Sequence, residues 1–287
     1  MSTPPFVDLP PHTGAVQLPT AGGPLAGLRA VPPAGAVRRG AAVLVPGYTG
    51  SKEDFIAVLA PLAEAGYEVV AIDQRGQNES AGPDDPGAYT LARLAEDLAD
   101  VVEGLGTERV HVLGHSFGGL VTREYALAHP GRVRSLALFD SGPAAVPGRS
   151  AEQAELLVAA AGFMSTQQIW AEMQKIAATQ AAPQHPDAAV RAFLQRRFEA
   201  NDLAMLIGMG TSILGAPDRT DELAAAGVPL LVAAGAGDDA WPVELQKDMA
   251  TRLGTEFVLI QDAAHSPAAE NPAATVRVLV EFWGQNG

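Results

Sequence analysis

The chain has 287 residues and no cysteine, a length that fits one large domain with an insertion or two small domains. The lack of cysteine excludes disulfides, thiolate metal sites and a cysteine nucleophile. A net charge of −14, from 33 acidic and 19 basic residues, would repel nucleic acids and anionic membrane surfaces, so neither is expected as a partner.

The first residues have neither the basic nor the apolar segment of a secretory signal, and no apolar stretch is long enough to cross a bilayer. We therefore expect a cytoplasmic protein without a membrane span. Residues 1–12 are predicted to form a flexible lead. The sequence leaves the oligomeric state open between monomer and homodimer.

Short β-branched segments alternate with longer helical patterns along most of the chain. This alternation predicts an α/β fold with a mostly parallel, eight-stranded sheet flanked by helices, which begins with an antiparallel hairpin. The predicted strands are 16–18, 25–31, 41–45, 67–72, 109–113, 133–139, 228–234 and 256–260. The predicted helices are 52–65, 89–105, 117–129, 242–253 and 272–283.

The alternation stops between about residues 145 and 220, where apolar residues recur at helical spacing and no strand is predicted. We interpret residues 144–220 as a helical cap. The cap would be inserted into one core formed by residues 13–143 and 221–287.

The segment Gly114-His115-Ser116-Phe117-Gly118-Gly119 follows an apolar strand and opens a helix. Such a sharp strand-to-helix turn is typical of a nucleophile elbow, in which a strained serine presents its hydroxyl above the sheet edge. The amide of Phe117, at the helix N-terminus, would then face the developing negative charge. An ordinary turn would explain the glycines but not the strand, the helix and the partners described next.

A serine nucleophile needs a base and an acid that orients the base. Of the six histidines, His265 is the favoured base, because it follows the last predicted strand and so lies at the same sheet edge as Ser116. The acid is expected after the preceding strand, where Asp238 is favoured and its neighbour Asp239 remains open. Asp140, which follows the strand after the elbow helix, is a third candidate.

A tetrahedral intermediate requires two amide donors. The second is expected in the loop after the first buried strand, where Gly47 allows close backbone approach and the amide of Tyr48 can face the same point as that of Phe117.

Four motifs resemble those of the α/β-hydrolase fold family, and the match runs from about Gly14 to the C-terminus with only the predicted cap outside it. They are the elbow, the loop at 46–55, the segment DQRGQNES at 73–80, and the acid and histidine with their flanking Gly235 and Pro242. The resemblance implies that Ser116, Asp238 and His265 form a catalytic triad and that a helical cap closes the pocket. A serine at the elbow distinguishes the chain from dehalogenase and epoxide hydrolase relatives, which carry aspartate there.

Three positions depart from the family pattern. Pro46 stands where histidine is usual, Asn78 where glycine is usual, and Ala264 where glycine normally precedes the histidine. None of these changes removes a reacting group, and asparagine tolerates the left-handed conformation.

The favoured function is hydrolysis of a carboxylic ester or thioester of an apolar small molecule, without metal or cofactor. Carbon–carbon bond hydrolysis, amide cleavage and biosynthetic acyl transfer or cyclisation are alternatives on the same triad, and a ligand-binding receptor is the non-enzymatic one. The glycines at 235–237 also match a dinucleotide-binding fingerprint, but only one more strand follows them. The expected substrate pocket consists of Gly47, His115, Phe163, Met164, Trp170, Met173, Met205 and Trp241.

Overall fold

The structure, a computed structural model, describes residues 2–179 and 185–287. Met1 of the predicted lead and residues 180–184 of the predicted cap therefore lie outside the described residues.

Eight strands, numbered β1 to β8 along the chain with the bounds given at the end of this paragraph, form one sheet. Their order across the sheet is β1-β2-β4-β3-β5-β6-β7-β8. β1 pairs antiparallel with β2 and β2 with β4, whereas every other pairing is parallel. The predicted α/β class with a mostly parallel eight-stranded sheet is thus confirmed. The strands are β1 Thr13–Leu18, β2 Leu25–Ala30, β3 Gly40–Val45, β4 Tyr67–Ile72, β5 Val110–His115, β6 Val133–Phe139, β7 Leu230–Gly235 and β8 Phe257–Ile260.

The helices differ from the predicted ones mainly at their ends. The predicted helix 52–65 begins as a 3₁₀ turn, Lys52–Phe55, and the predicted helix 89–105 begins later because Thr90 caps it by accepting a hydrogen bond from the amide of Arg93. Two short helices, Thr220–Ala225 and Pro267–Glu270, have no counterpart among the predicted helices. The helices are α1 Ile56–Glu64, α2 Leu91–Gly104, α3 Phe117–Ala128, α4 Gly148–Ala161, α5 Thr166–Thr179, α6 Ala188–Glu199, α7 Leu203–Leu214, α8 Thr220–Ala225, α9 Val243–Leu253, α10 Pro267–Glu270 and α11 Pro272–Gln285.

Helices cover both faces of the sheet. α1 and α11 contribute to the core on one face, and α2, α3 and α9 contribute to the core on the other. β5 is buried along its whole length, its two histidines included. The elbow therefore starts from a strand that is fixed on both faces.

Of the helices between β6 and β7 in the chain, α4 to α7 pack with Phe117 and Trp241 into a third apolar cluster. Arg197 of α6 is fully buried and donates to Asp54 at 2.6 Å and to the carbonyl of Ser2 at 2.7 Å. Ser2, within the predicted flexible lead, is therefore buried and hydrogen-bonded. The division into lead, core and cap stays a prediction.

Among the described residues, no helix combines the length and the apolar character needed to span a membrane.

One buried histidine in the sheet gives the fold a pH dependence. The ring of His111 stacks on that of Trp283 and lies 2.8 Å from the hydroxyl of Ser135. Burial, with a smaller contribution from Arg134, lowers the pKa of His111 to about 3. The unfolded chain takes up this proton near pH 6.5 and the folded chain does not, so stability is lost as the pH falls from 6.5 towards 3.

His111→Gln should therefore weaken the acid sensitivity of the fold. Between pH 7 and pH 5, the free energy of unfolding of the variant is expected to fall by about 2 kcal/mol less than that of the wild type, because glutamine takes up no proton. Urea unfolding at the two pH values measures this difference. His129→Gln, a change at an exposed histidine, is the control, and equal falls in wild type and His111→Gln would contradict the interpretation.

Candidate active site

The elbow has the strained geometry that its sequence predicts. Ser116 has φ +55° and ψ −124°, its amide donates to the carbonyl of Phe139 at 2.9 Å, and α3 begins at the next residue. A Cβ atom at Gly118 would lie 2.3 Å from the carbonyl oxygen of Val45, so a side chain there would collide with the backbone of the neighbouring strand. The glycine permits the close crossing that presents the serine hydroxyl.

The structure brings Ser116, His265 and Asp238 into one hydrogen-bonded row. Nδ1–H of His265 donates to Oδ1 of Asp238 at 2.7 Å, and the hydroxyl of Ser116 lies 3.0 Å from Nε2 of the same ring. Asp238 also accepts from the amide of Ala240 at 2.9 Å and from the side chain of Gln246 at 2.6 Å. This arrangement can move a proton from a hydroxyl to an imidazole whose orientation is held by a carboxylate.

The two other acid candidates occupy different positions. Asp239 is exposed on the wall of the cavity described below. Asp140 is fully buried at the end of β6, and one polar atom from each of Asp140, Asp238 and His265 lies within 4.8 Å of the other two. Both ring nitrogens of His265 already make hydrogen bonds within the row, so this group does not fit a metal centre.

Two side chains that sequence reasoning did not assign to this role fix the loop carrying His265. Glu270 accepts hydrogen bonds from the amides of Ala264 and Ser266, on either side of the histidine. Nε2–H of His115 donates to the carbonyl of His265. Burial, followed by the neighbouring His265, lowers the pKa of His115 to about 4 and keeps its ring neutral for this contact. The structure places His115, a predicted pocket residue, against the backbone of His265, and it does not line the cavity described below.

The loop after β3 lies against the serine. A Cβ atom at Gly47 would lie 3.1 Å from that of Ser116, so the backbone passes directly beside the nucleophile. The side chain of Gln77 donates to the carbonyls of Gly47 and Tyr48 at 2.7 and 3.0 Å and so fixes the orientation of these peptides. Within the described residues, the amides of Tyr48 and Phe117 donate to no other group of the chain. Both remain available to an oxyanion.

Asn78, one of the departures from the family pattern, adopts φ +45°, the left-handed conformation for which glycine is otherwise preferred. The backbone amide of Asn78 donates to Oδ1 of Asn201 at 3.1 Å. The substitution thus preserves the backbone turn.

A cavity of about 570 Å³ opens above the row, with Ser116, His265 and Tyr48 among its lining residues. Of the predicted pocket residues, Met164, Met173 and Trp241 line it. Half of the lining residues come from α4 and α5, each through one stripe at helical spacing. The lining residues of α5 are Ile169, Glu172, Met173, Ile176 and Ala177.

The other predicted pocket residues do not line this cavity. Trp170 falls outside the α5 stripe and packs on Phe198 with ring centroids 5.6 Å apart. Phe163 follows the end of α4 and is 78% exposed, whereas Met205 of α7 is fully buried in the third apolar cluster. Gly47 contributes backbone beside Ser116 rather than a cavity surface.

A matched pair of glycines tests how tightly the histidine loop packs. A Cβ atom at Gly235 would lie 1.9 Å from the carbonyl oxygen of Ala264, whereas one at Gly237 would meet its nearest atom at 3.5 Å. Gly235→Ala is expected to destabilise the fold by about 2 kcal/mol and to lower activity by displacing His265. Gly237→Ala should stay within about 0.5 kcal/mol of the wild type. Equal unfolding free energies and equal kcat/KM in the two variants would refute the close packing.

Comparisons with known proteins agree with this geometry. A model of the alpha/beta hydrolase fold family matches residues 42–272. A relative from Variovorax paradoxus, provisionally named carbamate hydrolase RutD, is 31% identical over 248 residues, which cover 84% of this chain and 91% of the relative.

Solved structures show the same fold. A thermophilic esterase from Thermogutta terrifontis superposes with a TM-score of 0.75 at 24% identity, covering 95% of this chain and 99% of the esterase. An enol-lactonase from Burkholderia xenovorans superposes with a TM-score of 0.77 at 21% identity, covering 94% of this chain and all of the lactonase chain (100%). With the family match and the relative, these likenesses establish that the chain is an enzyme of the alpha/beta hydrolase fold family.

Proposed function

We propose that the protein is a serine hydrolase that cleaves a carboxylic ester or thioester of an apolar small molecule through an acyl intermediate on Ser116. The observation that carries this proposal is the hydrogen-bonded row of Ser116, His265 and Asp238 at one wall of a largely apolar cavity.

The proposed reaction has two halves. Nε2 of His265 accepts the proton of Ser116 while Oγ attacks the substrate carbonyl carbon, and Asp238 stabilises the imidazolium that forms. The amides of Tyr48 and Phe117 donate to the oxyanion. His265 then returns the proton to the departing alcohol or thiol, and a water molecule, activated by the same ring, releases the acid from the serine.

The cavity supports a neutral, apolar substrate. Aliphatic and aromatic side chains dominate its lining, and besides His265 the charged residues that line it within the described ranges are Glu172 and Asp239, both acidic. A substrate with an additional carboxylate or phosphate would be repelled there, whereas an alkyl or aryl group would be desolvated favourably. The name of the Variovorax paradoxus relative favours a carbamate as the second candidate, because its carbonyl offers the same point of attack.

A substrate panel tests the proposal. Neutral aryl esters of increasing acyl length are expected to give the highest kcat/KM, followed by a thioester. An aryl ester bearing a free carboxylate on the acyl chain should react at least about tenfold more slowly, because it meets two carboxylates in the cavity. An amide, a carbamate and a diketone complete the panel, with Ser116→Ala as the blank. Faster turnover of the diketone than of every ester would overturn the acyl assignment, and binding without turnover would favour a receptor.

Replacing the acid separates Asp238 from its neighbour. Asp238→Asn is expected to lower kcat by about 10³-fold, because an amide stabilises the imidazolium poorly and can select the wrong tautomer of His265. Asp239→Asn, the matched control, should keep kcat within about threefold, since Asp239 makes no contact with the ring, and any effect should fall on KM. The assignment would be wrong if Asp239→Asn were the more damaging change.

A further inference from the structure

A second buried carboxyl group lies beside Asp238. Asp140 adopts φ +48° directly after β6, its amide donates to the carbonyl of Ala233 at 2.9 Å, and its Oδ1 accepts from the amide of Gly235 at 2.8 Å. The residue is fully buried, and no donor among the described residues reaches its Oδ2. Oδ2 of Asp140 thus has no hydrogen-bond partner in the described part of the chain, and one oxygen of Asp140 lies within 4.8 Å of one oxygen of Asp238.

The charged groups around Asp140 and Asp238 disfavour the ionisation of both carboxyl groups at once. The groups that face Asp140 are Asp238, Glu270 and His265, and within the described residues no lysine or arginine nitrogen lies within 4.0 Å of either aspartate. Burial, followed by the charge of Asp238, raises the pKa of Asp140 well above its ordinary value. Two buried carboxyl groups this close share a single proton more readily than they both ionise.

Hydrogen bonding shows which of the two holds the proton. Asp238 accepts from His265 and Ala240 through Oδ1 and from Gln246 through Oδ2, so both of its oxygens are stabilised as a carboxylate. From the described residues, the side chain of Asp140 accepts one hydrogen bond. The negative charge therefore belongs on Asp238 and the proton on Asp140.

We propose that Asp140 is a neutral carboxylic acid whose O–H donates to Asp238, and that this acid–carboxylate pair positions Asp238 behind His265. Asp140 then acts as a positioning residue, and its role rests on the proposed function of the row. A neutral Asp140 adds an anchor to Asp238 without adding a second negative charge beside the imidazole.

Two substitutions separate the anchor from a charge. Asp140→Ala removes the donor to Asp238 and is expected to lower kcat by at least about tenfold. Asp140→Asn keeps an N–H donor for Asp238 and a carbonyl for the amide of Gly235, so it should recover most of that loss. The midpoint of the acid limb of kcat/KM in the Asn variant should stay within about 0.3 pH unit of the wild type. A shift to lower pH by about 0.5 unit or more would show that a negative charge had been removed, and would overturn the proposal.

Infrared difference spectra at pH 7 supply a readout that does not depend on activity. The wild type minus either variant is expected to show the carbonyl stretch of one protonated carboxyl group, displaced in D₂O. Both variants lack the carboxyl group of Asp140, so either variant that folds supplies the reference spectrum. A difference spectrum with only carboxylate bands would contradict a protonated Asp140. If the band is present while Ser116→Ala retains full activity, the proton-sharing pair stands and the proposed function fails.

Discussion

The positive φ of Ser116 is the constraint on which the rest of the site depends. A β-carbon-bearing residue adopts this conformation only when the surroundings enforce it, and here a fully buried strand on one side and a helix on the other leave no alternative path. The strained turn places the hydroxyl at the carboxyl edge of the sheet, next to the N-terminus of α3, where the amide of Phe117 lies. The same edge receives the loops after β7 and β8, so Asp238 and His265, the proposed acid and base, lie beside Ser116 although they follow it by more than a hundred residues in the chain.

Side-chain hydrogen bonds to backbone, rather than packing alone, hold those loops. Gln77 orients the peptides beside the serine, Glu270 fixes the loop of the histidine, and Gln246 fixes the carboxylate of Asp238. Each of these contacts fixes a group of the proposed triad or a proposed oxyanion donor before substrate arrives, which would lower the reorganisation that catalysis requires. Arg197 of α6 donates to Asp54, which lies in the 3₁₀ turn that follows the loop after β3. This buried hydrogen bond connects a helix near the cavity to the segment that passes beside Ser116.

The fold and the positions of the proposed reacting residues are predictable because both follow from strand ends. β-branched segments reveal the strands, parallel pairing brings their carboxyl ends together, and the serine, the aspartate and the histidine each lie in the segment that follows a strand. Gln246 and Glu270 carry no such signal, since their spacing from the aspartate and the histidine has no fixed pattern. The residues that line the cavity are harder to predict from the sequence. Trp170 lies one position away from the lining residue Ile169. A rotation of about 100° around the helix decides whether a side chain lines the cavity or packs against a neighbouring helix. The choice between Asp238 and Asp239 likewise depends on a turn that residue types alone do not determine.

Covalent capture of the serine tests the account most directly. A fluorophosphonate ester, which reacts with a serine hydroxyl activated by a neighbouring base, is incubated with the folded protein, and the digested adduct is mapped by mass spectrometry. The account predicts one stoichiometric phosphonyl group on Ser116, with labelling that slows sharply when His265 is replaced by alanine. A protein that remains unlabelled at Ser116, or labelling of that residue at the same rate without His265, would contradict it.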